Sequence, residues 1–364
     1  MQIKDIINFL EEWAPSGLQE SYDNSGLIIG DRAASCQSAL VTLDVTEEVV
    51  DEAIRQGYQL IIAHHPMIFS GIKRIGTKHW LDKCIRKAIK NDLHIYAIHT
   101  NLDHVVTGVN QKIAEKIGLI NTSILSPKSH TLLKLTVFVP TKDKQHVLNS
   151  LYESGAGKIG KYSHCSFQLT GEGTFRPNEQ ANPTIGAIGQ DEKVEETRIE
   201  VILPVSKKNS VLSSMVKAHP YEEVAYYLSS LENINQEIGA GMIGELPEEL
   251  PTHAFLMQLK DRMNLNTIRC TKLVRDKVKH IALCGGSGSF LLKKAISKKA
   301  DVFITADFKY HDFFEANDQL IVADIGHYES EVFTKVLIQE KLTEKFPNFA
   351  VRLSDVDTNP ITYL

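Results

Sequence analysis

At 364 residues, 43% of them hydrophobic and 23% charged, the chain is long for one core and reads as an ordinary globular protein of two or three domains. Its formal net charge of -5 gives no overall basic footprint for nucleic acid, and no apolar run approaches the ~20 residues that span a bilayer. The five cysteines are odd in number and never spaced C-x-x-C, which argues against a disulfide framework or a thiolate zinc site and for a reducing, cytoplasmic compartment.

The N-terminal stretch "MQIKDIINFLEEWAPSG" alternates charged and apolar residues at helical spacing and lacks the h-region of a signal peptide. A β-α-β unit follows from Ser38 to Ala63. The strand "SALVTL" leads into Asp44, which with Glu47 gives an N-cap signal for the helix "EEVVDEAIRQ", and Gly57 stops it. The apolar run from Tyr58 to Ala63 predicts a strand covered on both faces. Pro66 offers no N–H to a ladder and holds His65 extended, so the strand ends in His64-His65-Pro66. Open α/β sheets bind their ligands at such carboxyl ends. Adjacent strand residues point to opposite faces, so the pair is either an incidental polar turn or serves two different atoms. Next, "WLDKCIRKAIKNDL" predicts a helix with Leu81, Cys84, Ile85, Ala88 and Ile89 on one face, and the strand "HIYAI" ends in "HTNLDHV".

The middle of the chain changes pattern. "LTVFVPTKDKQHVLNSLYESG" and "IEVILPVSKKNSVLSSMVKAH" look like copies, each a strand ending in proline, a lysine-containing turn and a helix. A Gly-punctuated, hairpin-like stretch, "GAGKIGKYSHCSFQLTGEGTF", lies between them. Two such halves predict a ferredoxin-like α+β insertion over 129–238. It interrupts an α/β chain whose N-terminal half is 1–128 and whose C-terminal half is 239–364. These are two similar halves facing one another, or one composite domain. In the C-terminal half "KHIALC" runs into the turn "GGSGS", "ADVFIT" into "ADFKYHD", and "DQLIVAD" into "IGHYESE". An amphipathic helix with Val332, Phe333, Val336 and Leu337 closes this pattern.

Four polar clusters therefore sit at strand ends. In "GHYESE", His327 and Glu331 are four apart and project from one helix face, while Glu329 points elsewhere. Such a pair can hold a metal, or simply be an exposed helix start where glutamate favours the dipole. Convergence favours the metal. Three strand ends supply His64, His65, Asp103, His327 and Glu331. Without cysteine, this donor set suits Zn, Fe(II), Mn or Co. Five ligands suit two ions: if Glu331 bridges, His65 and Asp103 complete one site, and His64 and His327 the other. Each ion then keeps free positions for water, as in catalytic sites. His99 and His104 are expected in supporting or surface roles. Asp307 and His311, also four apart, are expected to line the cavity or an oligomer contact rather than form a rival metal pair. The "GGSGS" turn could cradle an anion or be only a tight turn. There is no G-x-S-x-G and no convincing Cys-His pair for covalent catalysis.

In order, "YDNSGLIIGD", "HHP", "HTNLD", "CGGSGSF", "TADFKYHD" and "GHYESE" resemble the Nif-three-like family, known in bacteria as GTP cyclohydrolase 1 type 2 homologs. The middle segment, with "GAGKIGKYSHCSF" and "HPYEE", resembles the PII- or CutA-like insertion of the longer bacterial members. The resemblance implies a dinuclear site on the same five residues, with zinc, iron or manganese, and a toroidal homohexamer. It implies a hydrolase in which metal-activated water attacks a nucleotide-like substrate. The alternative is a metal-dependent scaffold, carrier or regulator whose insertion senses a small molecule.

Overall fold

The computed structural model describes residues 1–364. The chain divides into two compact units, Met1–Pro127 with Glu237–Leu364, and Lys128–Gln236. The first unit opens with β1 (Gly26–Ile29), β2 (Ser38–Thr42), β3 (Leu60–Ala63), β4 (His94–Ala97) and β5 (Ile120–Pro127). The second contains β6 (Leu132–Pro140), β7 (Phe167–Phe175), β8 (Glu192–Pro204) and β9 (Tyr226–Leu231). The first then resumes with β10 (Gly239–Pro251), β11 (Arg269–Cys270), β12 (Lys277–Ser287), β13 (Val302–Ala306), β14 (Ile321–Asp324) and β15 (Ala350–Leu353).

Two sheets build the first unit, in the orders β1-β4-β3-β2-β15 and β11-β14-β13-β12-β10-β5. Strands β3, β4, β13 and β14 are buried along their whole length, as strands covered on both faces must be. The N- and C-terminal stretches exchange edge strands: β15 runs parallel to β2, and β5 runs antiparallel to β10. Both stretches belong to one compact unit. One core cluster joins them, from Ile3, Ile6, Ile7 and Leu10 of the first helix to Ile338 and Leu342 near the other end.

Local chemistry explains two departures from the sequence pattern. The helix Glu47–Gln56 is capped by Thr46, whose hydroxyl accepts from the Val49 N–H, and not by Asp44. Gly57 does end it, at φ 75 in the left-handed region that glycine enters without strain. The expected amphipathic helix after "GHYESE" is interrupted at Val332 and Phe333, giving His327–Glu331 and then Thr334–Lys345.

In the second unit an antiparallel sheet of order β7-β8-β6-β9 carries the helices Lys144–Glu153 and Lys208–Ala218 in βαββαβ connectivity. Its core sets Leu135, Val137, Ile199 and Val201 of the sheet against Leu148, Leu151, Val211 and Met215 of the helices. The two proline-ended copies are β6 and β8 with their helices. The Gly-punctuated stretch is irregular, with a single bridge between Ile159 and Tyr162, until β7 begins. No helix of the chain is long and apolar enough to cross a membrane.

Candidate metal centre

Strand register brings the polar clusters together. Ala63 lies opposite both Thr42 and Ala97, so His64-His65 and the segment leading to the short helix Thr100–Asp103 leave the sheet side by side. In the other sheet Thr305 lies opposite Asp324. The chain turns through Gly326 at φ 92 into the helix His327–Glu331. One helical turn then places His327 Nε2 3.0 Å from Glu331 Oε2.

All five predicted ligands meet around the buried Glu331 carboxylate. His65 Nε2 lies 2.9 Å from Oε2 and 3.4 Å from His327 Nε2. On the other side His64 Nε2 is 3.9 Å from Oε1 and 3.7 Å from Asp103 Oδ1. The donors thus fall into His65–His327–Glu331 and His64–Asp103–Glu331, each with its ligand atoms within 4.8 Å of one another, and His64, His65 and His99 form a third such group. This reverses the expected pairing of His65 with Asp103 and His64 with His327. The cause is the strand turn: His64 points inward towards the neighbouring strand's segment, while His65 points towards the helix of the second sheet. The two histidines still diverge, each to its own triad.

Each imidazole is fixed from behind. His64 Nδ1 donates to Ile98 O at 2.8 Å, His65 Nδ1 to Asp44 Oδ1 at 2.7 Å, and His327 Nδ1 to Asp307 Oδ2 at 2.6 Å. Carbonyl and carboxylate oxygens only accept, so the Nδ1 proton is assigned and Nε2 faces the centre, as in metal-ligating histidines. Burial alone would lower the histidine pKa values, yet the flanking carboxylates push His65 up to about 9 and His327 up to about 11. Burial and the Glu331 charge push Asp103 up to about 7. Burial opposes ionisation of Glu331 too, but His327 and its neighbouring imidazoles hold it well below the usual carboxylate range. Without an ion, the imidazoles themselves supply the positive charge that the Glu331 carboxylate draws to the cluster. His64 Nε2 and Asp103 Oδ1 are buried with no hydrogen-bond partner, a costly arrangement for polar atoms that a divalent cation would relieve. The residues fit a metal.

Sequence reasoning gave two of the supporting groups other roles. Asp44 reads as a helix cap but orients His65, and Asp307 orients His327 rather than lining the cavity or pairing with His311. His311 instead packs its ring beside Tyr310 and Phe314. His99 stands against His64 and His65, and its Nδ1 donates to buried Asp23 at 2.7 Å. His104 bridges Gly239 O and Glu20. Glu329 faces away from the centre and accepts from Asn359. Of the two readings of the glycine turn, its hydrogen bonds favour the tight turn. Its Gly285, Gly286 and Gly288 N–H groups are already donated to Asn110, Ser330 and Thr305. A Cβ at Gly286, φ 60, would stand 2.4 Å from Glu331 Oε1, so glycine makes room for the carboxylate. A cavity of about 720 Å³ opens over the cluster; Tyr22, Phe69, Trp80 and Phe290 line it, and no lysine or arginine does.

Fold and site define an α/β protein with a histidine–carboxylate cluster at the strand ends of two facing stretches of one composite unit. The chain belongs to the Duf34/NIF3 (NGG1p interacting factor 3) family, whose model matches residues 1–360. It is 40% identical to a protein of Halalkalibacterium halodurans, over 99% of this chain and 98% of that one. It is 38% identical to a protein of Bacillus subtilis, again over 99% and 98%. Both carry the name GTP cyclohydrolase 1 type 2 homolog. A crystal structure of a Bacillus cereus protein related to NIF3 is also similar, with TM-score 0.89 and 40% identity over 100% of this chain and 99% of that one.

Proposed function

We propose that this protein is a metal-dependent hydrolase with two divalent ions per subunit, one held by His64, Asp103 and Glu331 and the other by His65, His327 and Glu331. The observation that carries the reading is the pair of buried, unpartnered atoms, His64 Nε2 and Asp103 Oδ1, beside imidazoles already oriented from behind. Histidine and carboxylate donors without thiolate favour zinc, with iron or manganese next. Bound divalent ions supply Lewis acidity and acidify water at neutral pH. The protein's part is positioning: Asp44, Asp307 and Ile98 O lock the ligand rings, and the aromatic lining offers flat faces to a planar base. The names of the relatives make a guanine nucleotide the substrate to test first. Because no lysine or arginine lines the cavity, an anionic group there would be neutralised by the ions and the histidines around them. Incubating zinc-loaded protein with a nucleotide and model-ester panel tests this. Turnover in the wild type that is lost in His65→Ala supports the hydrolase, and binding without turnover overturns it.

A second reading, a non-enzymatic scaffold, carrier or regulator, is favoured by a separate cavity of about 650 Å³ in the Lys128–Gln236 unit, lined by Phe175, Arg176, Glu196 and Tyr221 among others. That unit's βαββαβ connectivity supports a PII- or CutA-like, small-molecule-sensing insertion. Assembly as a toroidal hexamer follows from the family resemblance. Tyr310 and Phe314, 74% and 66% exposed with rings 5.6 Å apart, offer an apolar patch for it. All five cysteines are free, in keeping with a reducing cytoplasm.

A further inference from the structure

The last residues of the chain run onto the back of the metal cluster. Strand β15 pairs in parallel with β2, and the ladder is extended where Ser354 N donates to Val41 O. The chain thus emerges at the same sheet end as His64 and His65. It is tied down there at once: the Ser354 hydroxyl and the Asp355 N–H both donate to Glu52, a glutamate only 2% exposed. Val356 packs against the apolar cluster around Val49 and Ile61. Two residues on, the Thr358 hydroxyl donates to Asp44 Oδ2 at 2.7 Å. The other oxygen of that carboxylate, Oδ1, accepts from His65 Nδ1. Asn359 Nδ2 then donates to Glu329 Oε1 at 3.1 Å, on the helix that carries His327 and Glu331. A short exit segment therefore reaches His65 through Asp44, and the helix that carries His327 and Glu331 through Glu329. Thr358 is 9% exposed, so its hydroxyl is held to this one task.

We infer that the C-terminal segment after β15 is a strap that positions the metal centre, with Thr358 acting through Asp44 to aim His65, and Asn359 fastening the strap to the ligand helix. The inference rests on the proposed metal site and extends it to residues that cannot themselves reach an ion. Asp44 has two oxygens and two donors. With both occupied it cannot rotate, and the His65 ring is fixed in plane and tautomer. Without the threonine hydroxyl, Asp44 keeps its charge and its bond to His65 but loses the restraint on its orientation. Removal of outer-shell partners typically costs about 10–100-fold in metal affinity. Here the cost falls on the ion held by His65 and His327, because His64 is fixed by Ile98 O and has no link to Asp44.

The test is titration of metal-free, full-length protein with Co²⁺, reading stoichiometry and affinity by calorimetry and coordination by d–d absorption. The expected result is two equivalents in the wild type. In Thr358→Val one equivalent is weakened about tenfold or more, with an altered d–d band, and the other is unchanged. Thr358→Ser restores both. In an Asp44→Ala background Thr358→Val adds nothing further, since the threonine acts through the aspartate. The unchanged equivalent reports that the variant is folded. Two unaltered equivalents in Thr358→Val overturn the strap alone. Equal weakening of both equivalents, or no rescue by serine, also overturns it, because the loss is then general loosening. A wild type that takes up no Co²⁺ overturns the metal reading and the strap together.

Discussion

The Glu331 carboxylate is the one group shared by both donor triads, Oε2 facing His65 and His327 and Oε1 facing His64. Glu331→Ala is therefore expected to lose both metal equivalents. His64→Ala weakens mainly the ion shared with Asp103, and His65→Ala mainly the ion shared with His327. Glu329→Ala removes no ligand and keeps both equivalents bound, with affinity reduced only as far as the lost Asn359 anchor loosens the strap. Elemental analysis of the folded variants decides it, and metal retained at two equivalents in Glu331→Ala removes the bridge. Gly286→Ala tests the same carboxylate from outside. Its φ of 60 costs a non-glycine residue about 1 kcal/mol, and its Cβ would meet Oε1. The expected variant is folded, slightly less stable and depleted in metal; full metal content would show that the carboxylate has room to move. Four of the clustered residues were legible in the sequence because they sit at local landmarks, the proline-stopped strand of His64 and His65 and the helical spacing of four between His327 and Glu331; Asp103 was marked only by its strand-end position and by the family resemblance. Asp44, Asp307 and Thr358 were not legible, because their partners lie across the fold and a lone aspartate or threonine carries no sign of them.

At the scale of elements, strand type and position were readable from apolar runs, and the buried strands β3, β4, β13 and β14 lie where those runs are. Caps and continuations were less so. Thr46 outcompetes Asp44 as the cap because Asp44 is engaged by His65 and Thr358. The break at Val332 and Phe333 leaves no mark in the hydrophobic period. Strand β12 supplies a further test through Cys284, which is buried and lines the cavity over the cluster. Its Sγ donates to Gly285 O and joins none of the donor groups, so we read it as a packing group rather than a ligand. Cys284→Ala is expected to keep its full metal content and lose about 1 kcal/mol of stability. Loss of one equivalent from the folded variant would assign sulfur to the site.

For the whole molecule, the informative feature is where the second unit joins the first. Pro127, the last residue of β5, lies directly opposite Gly239, the first of β10, in an antiparallel ladder. The chain thus leaves the first unit and re-enters it at neighbouring points, and the strands on either side already pair. No local pattern reveals this, nor the exchange of β5 and β15 between sheets, because edge pairing is decided by partners far apart in sequence. The consequence is specific. Replacing Lys128–Gln236 with a linker of about four residues converts β5 and β10 into an ordinary hairpin, and the closure entropy of so short a loop is small. The second unit keeps its own core, with Leu135, Val201 and Met215 buried among its own elements, so neither core is opened by the cut. The shortened protein is expected to unfold in one cooperative transition and to bind the same number of metal equivalents as the full chain. Calorimetry and elemental analysis on the two proteins side by side check this. A folded deletion variant without metal would show that the second unit shapes the centre, and that the division of labour drawn here between the units is wrong.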